Sequence, residues 1–104
     1  ADREAIVEAC RTCEEERILV SHGTDSMAET ARTLGTAGIA KTIVLFGAAV
    51  PFIKPASDAV FNLGFALAAV QQLPAGVYVA MNGRIFLWNN VRKNRETGFF
   101  ETLS

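Results

Sequence analysis

The sequence has 104 residues, half of them hydrophobic and a fifth charged, which is the composition of one globular domain. Its formal net charge is −1 and it contains no basic run, so it predicts no nucleic-acid partner, because phosphate binding needs a concentrated basic face. No membrane span is predicted either, since no stretch of about 18 apolar residues occurs.

The first predicted element is an amphipathic helix over residues 2–15, in which apolar residues recur at helical spacing. Cys10 and Cys13 form a C-x-x-C pair on this helix. A redox pair of that spacing usually follows a strand, and none precedes it here, so we interpret the pair as two reduced thiols. One such pair with a single histidine falls short of a four-ligand zinc site, so no metal is predicted. Because the sequence shows no disulfide framework, we expect a cytoplasmic protein.

Short apolar strands then alternate with helices. The predicted strands are Arg17–Ser21, Thr42–Phe46, Val77–Ala80 and a shorter one at Arg84–Trp88. The predicted helices begin at Ser26, where Glu29 completes a capping-box pattern, and at Asp58, a candidate cap; they end at Gly35 to Gly38 and at Gln71. Apolar strands that alternate with helices are typical of a parallel sheet covered on both faces. The predicted fold is therefore a three-layer α/β domain of the flavodoxin-like or Rossmann-like kind.

Polar or glycine-containing turns follow three of these strands. They are His22–Asp25, Gly47–Ala49 and Met81–Gly83. Ligands bind beyond the carboxyl ends of parallel strands, so we expect this edge to hold a hydroxyl, a carboxylate and an amide beside a helix N-terminus. Lys93 follows the last strand closely enough to add a basic group.

Each of these residues also has an ordinary structural interpretation. The Thr24-Asp25 pair could cap the next helix. The Asn82-Gly83 pair could form a tight hairpin turn, because both residues tolerate positive φ. Lys93 could be a solvated surface lysine, and Asn62 could bond within its loop. His22 is interpreted as a turn or partly buried residue rather than as a base.

Taken in order, five segments resemble signatures of the asparaginase and glutaminase family. The most specific is the strand that ends in His22-Gly23-Thr24-Asp25 and leads into a helix, which resembles the family's H-G-T-D signature. Val44–Ala48 resembles V-L-T-G-A, and Ser57–Leu63 resembles S-x-D-G-x-x-N-L. Further along the chain, Gly76–Asn82 resembles G-V-x-V-V-M-N, and Asn90–Lys93 resembles D-V-T-K. The order of the five makes the resemblance far more specific than any one of them.

The resemblance implies an amidohydrolase that hydrolyses the side-chain amide of asparagine, and often that of glutamine, without a cofactor. Thr24, Asp25 and Lys93 match the family's catalytic threonine, aspartate and lysine. An ammonium group beside a threonine hydroxyl favours its alkoxide form, and the aspartate orients the lysine and can pair with the substrate α-ammonium group. Backbone N–H groups near Thr24 would stabilise the oxyanion. Gly23 and Ala48, with Thr24 and Asp25, are the expected substrate-binding residues.

The chain also departs from the family pattern. It lacks the first signature, a strand followed by T-G-G-T-I that holds the primary nucleophilic threonine. Residues 1–104 do not include the family's second domain either, which in the family helps to complete the site of a neighbouring subunit. We therefore expect residues 1–104 to be part of an asparaginase-type N-terminal domain, incomplete at its N-terminus, in a homo-oligomer. Its open sheet edge is expected to be covered by the parent strand or a partner chain. Three single residues also differ from the family pattern. Val50 stands where the family commonly has Arg, Ala59 replaces a Gly, and Asn90 replaces the usual Asp.

Two other functions stay open. The first is a non-catalytic relative that keeps Asp25 to bind an amino acid, and a missing nucleophile in the complete chain would indicate it. The second is a subunit of a transamidation complex. That role requires a partner surface, and this near-neutral sequence shows none for tRNA.

Overall fold

The computed structural model describes residues 2–48 and 57–104, where three helices alternate with strands. The helices are α1 (Asp2–Thr12), α2 (Met27–Thr36) and α3 (Ala59–Val70). The strands are β1 (Arg17–Ser21), β2 (Thr42–Phe46), β3 (Gly76–Met81), β4 (Arg84–Leu87), β5 (Arg92–Lys93) and β6 (Phe100–Glu101). Strands β1 to β4 form one sheet in chain order, and β5 and β6 form a small separate sheet. The predicted α/β class is confirmed. Ala49 of the predicted second turn and Val50 lie outside the described residues.

The first three strands run parallel, and β4 runs antiparallel to β3. Ser21 pairs with Phe46, and Leu45 pairs with Val79, so the three parallel strands end at nearly the same level. The polar turns that follow them therefore lie at one edge of the sheet, as the sequence predicts. The Asn82-Gly83 pair is also a hairpin turn between β3 and β4, with φ values of 58° and 72°.

Helices cover both faces of the main sheet. Successive side chains of a strand point to opposite faces, so the apolar strands supply two separate cores. The core that includes α1 and α2 contains, among others, Cys10, Met27, Leu34, Ile43, Val79 and Phe86. The core beneath α3 contains Val44, Ala66, Val70, Tyr78 and Ala80. The sheet is thus the middle layer of three.

Two helix ends differ from the sequence prediction. Helix α1 stops at Thr12 rather than near residue 15, and Lys41 Nζ then donates to the carbonyl oxygens of Cys10 and Cys13 at 2.8 and 2.6 Å. A lysine from elsewhere in the fold therefore satisfies carbonyls that the helix end leaves without partners. Ser26 does occupy the N-cap position of α2, but its side chain makes no capping hydrogen bond.

Gly35 lies inside the last turn of α2 instead of ending it. A methyl group at this position would overlap the Trp88 ring, so the glycine lets the helix approach the residue that follows β4. Gly38, with φ of 71°, lies beyond the helix.

The two cysteines are free thiols in the structure. Cys10 is buried, and this burial raises the pKa of its thiol, with a smaller contribution from the neighbouring Cys13. A raised pKa keeps Cys10 in the unreactive thiol form. Among the helices described, none is long and apolar enough to cross a membrane.

Strand β1 lies at an edge of the main sheet, and no described strand pairs with its outer side. Its apolar residues Ile18, Leu19 and Val20 are only half-buried, whereas the equivalent part of β2 is fully buried. A groove of about 430 Å³ runs between β1 and α1, where Ile6 and Ala9 contribute to its wall. This is the exposed edge that the sequence predicts.

Candidate active site

The turn after β1 is held against the end of β2. The backbone N–H of His22 donates to the carbonyl of Phe46 at 2.9 Å. A Cβ atom at Gly47 would overlap the backbone carbonyl of His22, so only glycine allows the two strand ends to come this close. The close approach fixes the position of the residues that follow, Thr24 and Asp25.

Lys93 connects Thr24 and Asp25, although it lies 69 and 68 residues away along the chain. Its Nζ donates to Thr24 Oγ1 at 2.8 Å and to Asp25 Oδ1 at 2.7 Å. Thr24 is 8% exposed and the Lys93 side chain 15%, while the Asp25 side chain is 80% exposed. The structure therefore brings the three predicted catalytic residues together, with the hydroxyl and the ammonium sheltered and the carboxylate facing solvent. Lys93 is not a solvated surface lysine.

Two cations surround the Asp25 carboxylate. Arg95 Nη1 donates to Asp25 Oδ1 at 3.0 Å, and its Nη2 donates to the Asp25 carbonyl at 2.8 Å. The hydrogen bond and the charge of Lys93, followed by the charge of Arg95, hold the pKa of the Asp25 carboxyl below its ordinary value. Arg95 lies two residues after Lys93 in the sequence, and nothing in its local pattern predicted this contact. Because Ser26 is the N-cap of α2, the capping interpretation of Thr24-Asp25 is wrong.

Lys93 reaches the site from a hairpin that the sequence does not predict. In this hairpin, β5 pairs antiparallel with β6, and Lys93 lies opposite Phe100, whose side chain is buried in the core. The hairpin is closed by Arg92 Nε, which donates to Glu101 Oε2 at 2.6 Å. Asn90, which replaces the family's usual Asp, accepts the N–H of Leu103 on its Oδ1 at 2.9 Å. The side chain therefore holds the C-terminal segment against the residues that precede β5.

Asn62 and Asn82 tie the strand ends to one another. Asn62 is fully buried, and its Nδ2 donates to the Gly47 carbonyl at 2.8 Å and to Asp58 Oδ2 at 2.9 Å. Its Oδ1 accepts the N–H of Asn82 at 3.3 Å, and Asn82 Oδ1 in turn accepts the N–H of Phe100 at 3.1 Å. This chain of amides links β2, β3 and the hairpin that carries Lys93. The sequence suggested only a local loop bond for Asn62.

His22 is engaged on both ring nitrogens. Since a carbonyl oxygen only accepts, Nδ1 donates to the Gly23 carbonyl at 2.7 Å. Nε2 then accepts from the Thr30 hydroxyl at 2.8 Å, and Arg3 Nε donates to the same Thr30 oxygen at 3.2 Å. The ring supports the turn, in agreement with its interpretation as a turn residue.

The two further predicted substrate-binding residues lie at the same edge. Gly23 and Ala48 each lie two residues beyond the paired strand ends, Ser21 of β1 and Phe46 of β2. Gly23 is exposed, and Ala48 lines a half-open cavity of about 290 Å³. Within residues 2–48 and 57–104, no three His, Cys, Asp or Glu side chains gather in an arrangement that could hold a metal ion.

The amino-acid sequence of this chain is similar to those of known proteins. The family model described as "Asparaginase, N-terminal" matches residues 3–102. The L-asparaginase of Thermococcus kodakarensis is 35% identical over 83 residues, which is 78% of this chain and 25% of that protein. A glutamyl-tRNA(Gln) amidotransferase subunit of Aeropyrum pernix is 40% identical over 87 residues, which is 77% of this chain and 20% of that protein.

Solved structures show the same relationship. The thermostable L-asparaginase from Thermococcus kodakarensis superposes with a TM-score of 0.82 at 32% identity, over 97% of this chain and 31% of that one. L-asparaginase I from Vibrio cholerae superposes with a TM-score of 0.84 at 27% identity, over 97% of this chain and 33% of that one. The chain thus spans a fifth to a third of the length of these relatives. With its strand-end site and with a family match over nearly its whole length, the chain belongs to the asparaginase family.

Proposed function

We propose that this chain carries the amide-hydrolysing site of an asparaginase-type amidohydrolase, with asparagine as substrate and glutamine as the second candidate. The observation that carries the proposal is the bridge that Lys93 Nζ makes between Thr24 Oγ1 and Asp25 Oδ1. Similarity to L-asparaginases supports the choice of substrate class.

In the proposed reaction, a threonine oxygen attacks the amide carbon and forms an ester, while the proton of the hydroxyl ends on the leaving nitrogen and ammonia departs. Water then attacks the ester carbon, which restores the hydroxyl and releases the acid. Lys93 stabilises negative charge on Thr24 Oγ1, because its ammonium lies 2.8 Å away in a sheltered position. Asp25 holds the lysine and offers its exposed oxygen to the substrate α-ammonium group.

We further propose that a strand bearing a second threonine completes this site by pairing with the open edge of β1. That edge ends at Ser21, three residues before Thr24, so the carboxyl end of a parallel strand there would lie beside the turn that holds Thr24. The apolar groove between β1 and α1 suits a strand that is buried on one face.

The experiment measures ammonia release from L-asparagine and L-glutamine by the protein together with the strand that completes its site, as the wild type and as three variants. Thr24→Val removes only the hydroxyl, Lys93→Met removes only the ammonium, and Arg32→Met removes an exposed cation of α2 as a matched control. We expect the first two to lose at least about 100-fold in kcat and the control to keep wild-type activity. Ammonia release at the same measurable rate by all four proteins would disprove the role of Thr24 and Lys93.

Mass spectrometry of protein quenched during turnover identifies the attacking oxygen. An acyl group on Thr24 assigns the nucleophile to this residue, whereas an acyl group elsewhere assigns Thr24 and Lys93 to proton transfer. If the wild-type chain binds L-aspartate but releases no ammonia, and Asp25→Asn abolishes this binding, the amino-acid-binding alternative replaces the hydrolytic one.

A role in an amidotransferase complex is the second candidate function. It is favoured by one observation, the 40% identity to the glutamyl-tRNA(Gln) amidotransferase subunit of Aeropyrum pernix. In that case, the same Thr24, Lys93 and Asp25 would release ammonia for a partner enzyme. Ammonia release that stays low with free glutamine and rises when a purified transamidase partner and charged tRNA are added would support this candidate over the first.

A further inference from the structure

The end of α1 carries two thiols that the proposed reaction does not use. Cys10 is 4% exposed, whereas Cys13, the residue after the helix, is half-buried. Both residues line the groove between α1 and β1, and both are free thiols. The sequence context favours a pair of reduced thiols, but it does not show which charged groups surround them. A solute that enters the groove meets the Cys13 sulfur before that of Cys10.

A lysine from another part of the fold lies against the Cys13 sulfur. Lys41 Nζ is 3.6 Å from Cys13 Sγ, although the two residues are 28 positions apart in the sequence. Its hydrogen bonds to the carbonyl oxygens of Cys10 and Cys13 hold the ammonium group at this place. Reactive cysteines lie in positively charged, partly exposed surroundings, whereas buried structural cysteines are inert. Cys13 has both features of the reactive class, and Cys10 lacks the exposure.

The helix brings the two thiols within reach of each other. The Cys13 N–H donates to the Ala9 carbonyl at 3.1 Å, so helical hydrogen bonding continues to this residue. The Cα atoms of residues three apart in such a turn are separated by about 5 Å, and disulfides span about 4.4–6.8 Å. Cys13 follows Thr12, the last residue of α1, so its side chain can turn towards Cys10 without unwinding the helix. A disulfide between Cys10 and Cys13 therefore requires only a local change.

We infer that Cys13 is a peroxide-reactive thiol and that Cys10 captures its oxidised form in a disulfide. In the first step, the Cys13 sulfur attacks one oxygen of hydrogen peroxide, so that an S–O bond forms and the O–O bond breaks. The departing oxygen takes the thiol proton and leaves as water, and Cys13 becomes a sulfenic acid. The Lys41 ammonium stabilises the negative charge that develops on the departing oxygen, because it lies beside the reacting sulfur.

In the second step, the Cys10 sulfur attacks the Cys13 sulfur. An S–S bond forms, the S–O bond breaks, and the hydroxyl group leaves with the Cys10 proton as water. The two thiols together lose two electrons and two protons, and the peroxide becomes two molecules of water. Cys10 does not react first, because it is buried, but its proximity makes it the thiol that meets the sulfenic acid. Reduction by an external thiol restores both cysteines, so the modification is reversible.

Trypsin gives a direct readout of the disulfide, because it cleaves after Arg11, between the two cysteines. The wild-type protein is treated with an equimolar amount of hydrogen peroxide, its remaining thiols are alkylated with iodoacetamide, and it is then digested. We expect peptide 4–11 to be joined to peptide 12–17 by a bond that dithiothreitol cleaves. Loss of free thiol should be at least about 10-fold faster than for glutathione at the same pH. Separate alkylated peptides, or a rate no higher than that of glutathione, would overturn the inference.

Single variants identify the thiol that reacts first. In Cys10→Ser, the sulfenic acid has no neighbouring thiol, so dimedone should label Cys13 in peptide 12–17. In Cys13→Ser, Cys10 should stay reduced at the same peroxide concentration, because it is buried. Oxidation of Cys10 in Cys13→Ser at the wild-type rate would contradict the assigned order of the two thiols.

The role of Lys41 is tested in the Cys10→Ser background. Lys41→Met removes the charge and should slow the oxidation of Cys13 by about 10-fold, while Lys41→Arg should keep most of the rate. Arg32→Met removes an exposed cation of α2 and is the matched control, which should oxidise as before. Thermal unfolding shows whether Lys41→Met folds, and the wild-type digest tests the disulfide independently of this variant. Equal rates in folded Lys41→Met and in the control would refute the part assigned to Lys41.

Discussion

At the scale of single residues, the charge of Lys93 sets the ionisation of Asp25. Lys93→Met should raise the pKa of the Asp25 carboxyl towards its ordinary value, because both the hydrogen bond and the positive charge are lost. Carbon-detected NMR titration of the carboxyl groups measures this change. Glu101, whose pKa is lowered by Asn94 and Arg92, is the internal control and should titrate as before. An unchanged Asp25 would show that Lys93 does not bond to it in solution.

The same contact predicts the direction of a stability change with pH. The pKa of Asp25 is lower in the folded state, so its ionised form stabilises the fold above the ordinary carboxyl pKa. This contribution is lost as the pH falls through the pKa of the folded state. In the Lys93→Met variant, ionised Asp25 should stabilise the fold less than it does in the wild-type chain. Its protonation at low pH should therefore lower the free energy of unfolding by a smaller amount.

The Asn62 side chain stabilises the fold through its hydrogen bonds to the Gly47 carbonyl and the Asn82 N–H. Asn62→Ala should cost about 2–3 kcal/mol in the free energy of unfolding, since it leaves the Gly47 carbonyl and the Asn82 N–H without a buried partner. Urea unfolding measures the loss. Gln71→Ala is the matched control, because the Gln71 amide is exposed and donates only within its own helix, to the Leu67 carbonyl. A difference below about 0.5 kcal/mol between the variants would contradict this account.

At the scale of elements, the close approach of α2 to Trp88, the residue that follows β4, depends on Gly35. Alanine usually stabilises a helix relative to glycine by about 1 kcal/mol. We expect Gly35→Ala to destabilise the chain instead, because the added methyl group collides with the Trp88 ring. Thermal unfolding of Gly35→Ala is compared with that of Thr36→Ala, an exposed neighbour in the same helix. The comparison separates the collision with Trp88 from the general effect of alanine on helix stability. Stabilisation by Gly35→Ala would mean that Trp88 moves aside without cost.

Elements differ in how far the sequence predicts them. The parallel strands match their predicted bounds within one residue, because continuous apolar runs bounded by turns are typical of buried strands. The strands β5 and β6 have two residues each and no hydrophobic period, so nothing local predicts them. They form because Arg92 pairs with Glu101 and because Phe100 inserts into the core.

At the scale of the whole molecule, the open edge of β1 should be visible in hydrogen exchange. The N–H of His22 points to β2, and alternate amides of a strand point to opposite sides, so the N–H groups of Leu19 and Ser21 point to the open edge. We expect these two amides to exchange much faster than that of Val20, which points to β2. Comparable protection of all three would mean that the β1 edge is already covered in solution.

Local signals in the sequence were enough to predict the fold class, the edge at which the turns meet and the family. These signals are apolar runs, glycine-containing turns and signature segments in a fixed order. The resemblance implied that Lys93 meets Thr24 and Asp25, but the hydrogen bonds that join them came from the packed chain. Two further contacts had no signal in the sequence: Asn62 joins the strand ends, and Arg95 adds its charge to the site. They join residues up to 70 positions apart, and their geometry depends on how the hairpin packs on the sheet, which no local pattern encodes.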